Sequence, residues 1–178
     1  MMRFDAAPWA PRLKVASVAA LALLAVVAGA LWGTLPRGST APGAIARFLV
    51  CTPPLAVAGA LLFVVRGYTI DGSSLEVRRL LWSTRVPLDG LERAWHDPEA
   101  MQRSIRVFGN GGLFAISGLF RNRALGNYRA FVTEPARAVV LRTASRVVVI
   151  SPAEPRAFLH ALAVRYPRAD LEKPAPGG

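Results

Sequence analysis

Arginines and glycines alternate between residues 100 and 133, and this segment holds the side chains best suited to chemistry. It contains no Asp or Glu. Arg binds phosphate oxygens through paired hydrogen bonds, and Gly lets backbone N–H groups approach an anion closely. The pattern predicts a site for phosphate or an anionic lipid headgroup, formed by Arg103, Arg106, Arg121, Arg123 and Arg129. The alternative is a long loop of a β-barrel, with glycines that supply positive φ angles and arginines that are solvated or face a membrane.

Apolar side chains in the same segment have two interpretations. Either they form a short amphipathic stretch that lies on a bilayer, or they pack into the core beside a barrel. The side chains concerned are Leu113, Phe114, Ile116, Leu119 and Phe120. Residues 109–112 do not form a typical phosphate-binding loop, because they lack the Gly-Lys-Ser/Thr ending and the helix that follows such loops.

No catalytic or metal-binding arrangement is visible in the sequence. A metal site needs three or four ligands, and the His96-Asp97 pair has only one other histidine, His160, to join it. Cys51 is the single cysteine, which excludes an intrachain disulfide and a metal site built on thiolates. We therefore predict a non-enzymatic protein that uses no cofactor and no metal.

The chain of 178 residues is strongly basic, with a formal net charge of +11. Residues 66–178 still hold 17 Lys and Arg against 10 Asp and Glu. Such an excess predicts attraction to an anionic surface, either membrane lipid or nucleic acid. Nucleic acid is disfavoured, because aromatic residues do not interleave with the basic ones as in a stacking platform. Coding bias explains the preference for Arg over Lys but not the excess of basic over acidic residues.

Two apolar stretches predict a transmembrane helical hairpin at residues 15–66. Residues 15–36 carry no charge and are long enough to cross a hydrocarbon core of about 30 Å as a helix. Residues 45–65 form the second predicted span, which is kinked by Pro53 and Pro54. The rival interpretation of the first span is a cleaved signal peptide, because Ala28-Gly29-Ala30 is typical of a cleavage site.

The distribution of basic residues predicts how the hairpin is oriented. Residues 1–14 carry three basic side chains, and Arg66 begins a second basic flank after the hairpin. The Gly- and Pro-rich loop at residues 33–44 carries Arg37, and Arg47 lies at its membrane edge. The positive-inside rule then predicts a multi-pass protein of the inner membrane with both termini in the cytoplasm. Residues 1–14 become a cytoplasmic N-terminal segment and residues 67–166 a cytoplasmic domain.

Short runs of β-branched and aromatic residues predict seven or eight strands between residues 67 and 151, typical of a sandwich or barrel. A strand at residues 75–82 is followed by a turn at Ser83-Thr84. Strands at residues 128–133, 138–143 and 146–151 form an antiparallel meander, because their connections are short.

A C-terminal helix is predicted at residues 152–166, capped by Ser151 in a capping box with Glu154. Its apolar stripe suits it to plug the open end of a barrel, and it consists of Phe158, Leu159, Leu162 and Tyr166. The Pro- and Gly-rich tail at residues 167–178 is predicted to be disordered.

Several runs in this domain resemble the bacterial pleckstrin-homology-like (PH-like) domain proteins. They are SIRVFGNGG from Ser104, LGNYRAFVT from Leu125, AVVL from Ala138 and VVISP from Val148, with Gly118 between the first two. The resemblance covers about residues 67–165. It implies a PH-like barrel of about seven antiparallel strands capped by the C-terminal helix, and members with membrane spans beside the domain are common.

The family resemblance brings no catalytic residues. Eukaryotic PH domains often bind inositol phosphates through basic residues of the first hairpin. Here no Lys/Arg pattern precedes Asp71, and the Trp usual in the eukaryotic C-terminal helix is absent, so inositol-lipid binding is not implied.

These features together predict a membrane-anchored PH-like domain that serves as a binding or scaffolding module at the cytoplasmic membrane face. Its partners are the lipid bilayer, anionic headgroups at the five arginines and membrane proteins. The alternative from a different class is a hydrolase or transferase that acts on lipid, which needs a polar pocket with convergent ionisable groups.

Overall fold

A computed structural model describes residues 2–34, 41–111 and 115–171 of the chain. A short strand, β1 (Met2–Asp5), precedes two long helices, α1 (Pro11–Thr34) and α2 (Ala41–Leu61). Nine strands and a third helix follow. They are β2 (Gly67–Asp71), β3 (Ser74–Arg78), β4 (Ser83–Pro87), β5 (Leu91–His96), β6 (Ile105–Gly111), β7 (Ile116–Asn122), β8 (Gly126–Val132), β9 (Val139–Thr143), β10 (Arg146–Ile150) and α3 (Pro155–Arg165).

The described strands form two sheets rather than the predicted antiparallel barrel of about seven strands. A four-stranded antiparallel sheet has the order β1-β2-β3-β4, and a six-stranded sheet has the order β5-β9-β10-β8-β7-β6. The predicted meander was wrong at one pairing, since β8 does not pair with β9. The chain makes a 3₁₀ turn at Pro135–Arg137, and β10 lies between β8 and β9, parallel to β8 and antiparallel to β9.

The alternation of side chains along the strands gives the six-stranded sheet two apolar faces. One face packs on the four-stranded sheet and α3 and forms the inner core, which includes Tyr68, Leu75, Phe131, Leu141 and Phe158. The opposite face forms the outer core, which includes Ala100, Phe120, Tyr128, Val140 and Val149. Both faces of the central strands are therefore dry, which explains their nearly continuous apolar sequence.

The N-terminal segment is part of the folded domain, a feature that the sequence pattern did not indicate. Strand β1 pairs with β2 in a register that places Asp5 opposite Gly67. Beyond β1, the Ala7 N–H donates to the Ser151 carbonyl at 2.8 Å, and the Thr133 hydroxyl donates to the Ala7 carbonyl at 2.7 Å. Residues 2–10 therefore lie along the domain before α1 begins.

Helix α3 has the predicted apolar stripe but not the predicted start. Phe158 and Leu162 are fully buried in the inner core, and Leu159 and Tyr166 pack against it. The helix begins at Pro155, after an N-cap Glu154 whose side chain makes no capping hydrogen bond. Ser151 is not the cap, because its Oγ accepts a hydrogen bond from the Thr133 N–H at 2.8 Å.

Two further boundaries differ from the sequence prediction. Strand β3 ends at Arg78 instead of Trp82, because the Arg79 N–H donates to the Trp82 carbonyl and closes a turn there. Ser83 and Thr84 therefore belong to β4. The predicted disorder of the tail is wrong for residues 167–171, where Asp170 forms a bridge with Arg93 of β5. Residues 172–178 lie outside the described residues.

Of the helices described, one, Pro11–Gly33, is long and apolar enough to cross a bilayer. Helix α2 contacts α1 and contains both Pro53 and Pro54, but its apolar part, Val50–Leu61, is shorter than a span. Helices occupy both predicted segments, but length and composition identify one span, so the two-helix transmembrane hairpin stays a prediction. Residues 35–40, within the predicted loop, lie outside the described residues.

The Tyr68 hydroxyl links β2 to β8 and to Ser151, the residue after β10, inside the inner core. It donates to the Phe131 carbonyl at 2.6 Å and accepts from the Ser151 N–H at 3.1 Å. Tyr68→Phe should lower the free energy of unfolding by about 1–3 kcal/mol, because two buried backbone groups lose their partner. Denaturant unfolding of the full-length protein in detergent, followed by Trp fluorescence, measures this loss. Tyr166→Phe is the control, since its hydroxyl makes an exposed bond of 3.3 Å to Gly72.

Burial also raises the pKa of Tyr68 to about 12. A raised pKa favours the protonated phenol in the folded state, so its stabilisation is complete below the unfolded pKa of about 10 and is lost as the pH rises towards 12. The stability difference between wild type and Tyr68→Phe should therefore shrink across this range. A difference that stays constant from pH 9 to 12 would contradict the assignment.

Candidate functional site

The five arginines predicted to bind an anion are not brought together. Arg103 and Arg123 lie on turns and line a shared depression, in which Asp97 and Glu99 also take part. Arg106 and Arg121 are exposed on strands β6 and β7. They are on opposite faces, because Arg106 is paired with Phe120 of the outer core whereas Arg121 is paired with Ile105. Arg129 lies in a cleft beside α2, on the same face of the sheet as Arg121, which pairs with Asn127 two residues before Arg129.

This cleft, of about 780 Å³, lies between the end of α2 and the strands β6, β7 and β8. We call it the two-arginine cleft, because Arg79 and Arg129 are its charged lining residues among those described. Most of the remaining wall is apolar or backbone. It is lined by Gly59, Ala60, Leu62, Phe63, Arg79, Phe108, Gly109, Ser117, Gly118, Leu119, Arg129 and Phe131.

Arg79 is the most deeply placed cation of the cleft, with 9% of its surface exposed. The turn after β3 directs its side chain inward, where Nη2 donates to Ser117 Oγ at 3.1 Å and Nη1 donates to the Phe63 carbonyl at 3.4 Å. Its Cζ lies 5.4 Å from the ring centroids of Phe63 and Phe131 and 5.8 Å from that of Trp82. Its buried Nε has no hydrogen-bond partner among the described residues.

A second guanidinium group, that of Arg129, faces the Phe131 ring that Arg79 also contacts. The Cζ of Arg129 lies 5.1 Å from the Phe131 centroid. Burial lowers the pKa of Arg79, and repulsion from Arg129 lowers it further. Two like charges thus share one apolar environment, an arrangement that an anion between them would stabilise.

The described part of the chain offers these two cations no carboxylate. Away from the cleft, Asp5 pairs with Arg78, Glu76 with Arg85 and Asp170 with Arg93. No Asp or Glu is among the described residues that line the cleft. A buried charge is normally paired or coordinated, so the cleft has the electrostatics of an anion site.

Two facing glycines allow the strands that form one wall of the cleft to approach closely. Gly109 of β6 is opposite Gly118 of β7, and their φ angles are 109° and 153°. A Cβ atom on Gly118 would collide with the Phe108 carbonyl oxygen, and one on Gly109 would collide with the Ser117 carbonyl oxygen. Gly109 and Gly118 thus have the positive φ angles of the alternative interpretation, but they lie in paired strands and not in a long loop.

Large apolar side chains are exposed around the cleft. Phe108 is 75% exposed, Leu119 46% and Trp82 39%, and the neighbouring Leu80 and Leu81 are exposed as well. The Trp82 ring packs edge-on against Phe63 with centroids 5.1 Å apart.

The core-packing interpretation of the apolar residues in the basic segment applies to two of them, and their contact with a bilayer stays a prediction. Ile116 and Phe120 pack in or against the outer core, whereas Leu119 borders the cleft. Leu113 and Phe114 lie outside the described residues.

The pair His96-Asp97 has local structural partners. His96 Nε2 lies 3.2 Å from the Ala136 carbonyl oxygen, and Asp97 Oδ1 accepts from the Glu99 N–H at 2.9 Å. Among the residues that the structure describes, no group of three His, Cys, Asp or Glu side chains is placed to hold a metal ion.

Sequence reasoning missed Arg79 because it stands beside Arg78 in what reads as a solvated pair. The break of alternation at these two residues was the available signal, since it marks a turn that sends neighbouring side chains in different directions. Arg78 goes outward to Asp5 and Arg79 goes into the cleft.

Comparison with known protein families identifies the family of the domain whose strands form this cleft. The bacterial PH domain family matches residues 66–166. The chain belongs to the bacterial PH domain family. The match runs from the residue before β2 to the residue after α3, which confirms the resemblance noted in the sequence. No curated protein and no solved structure matches the chain. PH domains are in general non-enzymatic binding modules, so membership favours a binding or scaffolding role.

Gly118→Ala should destabilise this PH domain much more than Gly126→Ala. Both residues have positive φ, but only Gly118 faces a backbone atom that a Cβ would strike, whereas Gly126 has open space. We expect a loss of about 1 kcal/mol for Gly126→Ala and roughly 3 kcal/mol or more for Gly118→Ala. Thermal unfolding of the full-length protein in detergent measures both, at about 2–4 °C per kcal/mol. Equal shifts of the two thermal midpoints would show that close contact between β6 and β7 at Gly118 is not required for stability.

Proposed function

We propose that this bacterial PH domain protein is an inner-membrane binding module whose domain is held on the cytoplasmic face by α1 and α2. The observation that carries the proposal is the pairing of β1 with β2. Strand β1 precedes the two helices and β2 follows them, yet the strands are neighbours in one sheet. If α1 leaves the domain through a bilayer, α2 must bring the chain back.

The surface of α1 supports its placement in lipid. Val15, Val18, Leu23 and Val26 are each at least 65% exposed on this helix. A soluble protein rarely exposes such a contiguous apolar surface, whereas hydrocarbon would cover it at no cost.

Helix α2 is suited to the return crossing despite its interruptions. Its 21 residues extend about 30 Å at 1.5 Å per residue. Prolines are tolerated in membrane helices, and Arg47 lies near enough to the start of α2 for its long side chain to reach the interface.

The orientation follows from the basic residues and from the position of the domain. Basic side chains concentrate in residues 1–14 and from Arg66 onward, which favours the cytoplasm for both ends. Retention of the first span is favoured over signal cleavage, since cleavage after Ala30 would remove β1 together with the buried Ala7 and Ala10.

The proposed mechanism is tethering without catalysis. A domain attached directly to two membrane helices meets membrane-bound partners at a high effective concentration. The proposed partners are membrane proteins and lipid, with no nucleic acid and no cofactor. Anionic-ligand binding, the second candidate, is favoured at Arg129 by the presence of Arg79 and is developed below.

A topology experiment tests the placement. Green fluorescent protein fused at either terminus should fluoresce, and alkaline phosphatase fused there should be inactive. Alkaline phosphatase inserted at residues 35–40 should be active, because this stretch comes between the two proposed spans in the chain. The full-length chain should remain in the membrane after a carbonate wash and keep its uncleaved mass. A soluble chain, a processed chain or an active phosphatase at the C-terminus would each refute the proposal.

A further inference from the structure

Arg79 presents a physical problem that the protein alone does not solve. Its guanidinium is nearly buried, one of its nitrogens has no hydrogen-bond partner among the described residues, and no described carboxylate lines its cleft. Three aromatic rings, the hydroxyl of Ser117 and the Phe63 carbonyl compensate only part of the lost hydration. Arg129 adds a second positive charge at the ring of Phe131.

The complementary ligand must be both anionic and apolar. Two arginines supply planar donors that match the oxygens of a phosphate group. The remaining described wall, with Phe63, Phe108 and Leu119, offers little to a hydrated inorganic ion but suits a hydrocarbon chain. A volume of about 780 Å³ is that of a small-molecule site and would hold a phosphate and the upper part of an acyl chain.

The position of the cleft indicates where such a ligand comes from. Its wall includes Gly59 and Ala60 of the last turn of α2, which under the proposed function emerges from the bilayer at this point. Beside it, Leu80, Leu81 and Trp82 present exposed apolar side chains suited to the membrane interface. A lipid could therefore enter from the bilayer while its remaining chain stays in hydrocarbon.

We propose that the two-arginine cleft binds one anionic phospholipid, with its phosphate between Arg79 and Arg129 and an acyl chain along Phe63, Phe108 and Leu119. This proposal rests on the proposed membrane placement. The site is distinct from the β2–β3 hairpin, at residues 71–74, and uses only Arg129 of the five arginines that the sequence singled out. Ser117 positions the Arg79 side chain and would share it with the phosphate.

The test is lipid binding to the full-length protein in neutral detergent, with native mass spectrometry as the readout. Dioleoyl phosphatidylglycerol is the probe, dioleoyl phosphatidylcholine the neutral-headgroup control and glycerol 3-phosphate the soluble source of the same phosphate chemistry. We expect one tightly held phosphatidylglycerol, at least tenfold weaker binding of phosphatidylcholine and no retained glycerol 3-phosphate. Equal retention of both lipids, or saturation by glycerol 3-phosphate alone, would overturn the proposal.

Matched arginine variants locate the site. Arg79→Gln and Arg129→Gln should each weaken phosphatidylglycerol binding about tenfold or more. Arg106→Gln, on the opposite face of the sheet, and Arg123→Gln, on the turn after β7, remove the same charge outside the cleft and should change it less than twofold. An equal effect of all four substitutions would show general surface attraction and overturn the assignment.

A cleft-filling variant tests the site without removing either arginine, in case the arginine variants fail to fold. Leu119→Trp changes a half-exposed residue and leaves both cations in place. It should abolish binding of the single tightly held phosphatidylglycerol. The midpoint of thermal unfolding without lipid should stay within a few degrees of wild type. Unchanged binding in this folded variant would overturn the proposal.

The topology experiment separates this inference from the proposed function. A protein with the expected topology that shows no preference for phosphatidylglycerol refutes the lipid site alone. A protein released by carbonate refutes the membrane placement, on which the lipid site also rests.

Discussion

The pairing of β1 with β2 is the constraint on which the arrangement of the chain depends. It brings Asp5 opposite Gly67, so that everything between them must leave the domain and return to it. Gly67 makes the approach possible, because a Cβ there would lie 2.7 Å from the Phe4 carbonyl oxygen. The family match begins at residue 66 and therefore omits β1, which means that a fragment cut at that boundary exposes the edge of β2 and the inner-core face that Phe4 covers.

The two sheets differ in width, and this difference creates the cleft. The six-stranded sheet has apolar side chains on both faces, but the four-stranded sheet and α3 cover its inner face only in part. At the β6–β8 end the last turn of α2 stands opposite the sheet, leaving a gap where Phe108 and Leu119 are exposed. A binding module gains from such incomplete cover, since a ligand can supply the missing contacts.

Local patterns predicted the elements whose neighbours are close in sequence. Strands β9 and β10 could be assigned from their short runs of β-branched residues, and α3 from the helical spacing of its apolar stripe. The position of β10 between β8 and β9 could not be predicted from the sequence, because it depends on the 3₁₀ turn at Pro135–Arg137 and on pairing across the sheet. Strand β1 escaped detection for a similar reason: four residues have no measurable periodicity, and their partner lies more than sixty residues away.

The candidate site shows how adjacent residues of one type acquire different roles. Arg78 lies at the end of β3, reaches an exposed carboxylate at 3.7 Å and gains little from it, since water screens such pairs. The turn after β3 directs the side chain of Arg79, one residue later, inward, where it loses most of its hydration. Because folding gives it no carboxylate among the described residues, its burial opposes stability unless an anion arrives. A site that is electrostatically unfavourable when empty binds its ligand more tightly, since binding relieves repulsion that the free protein already contains.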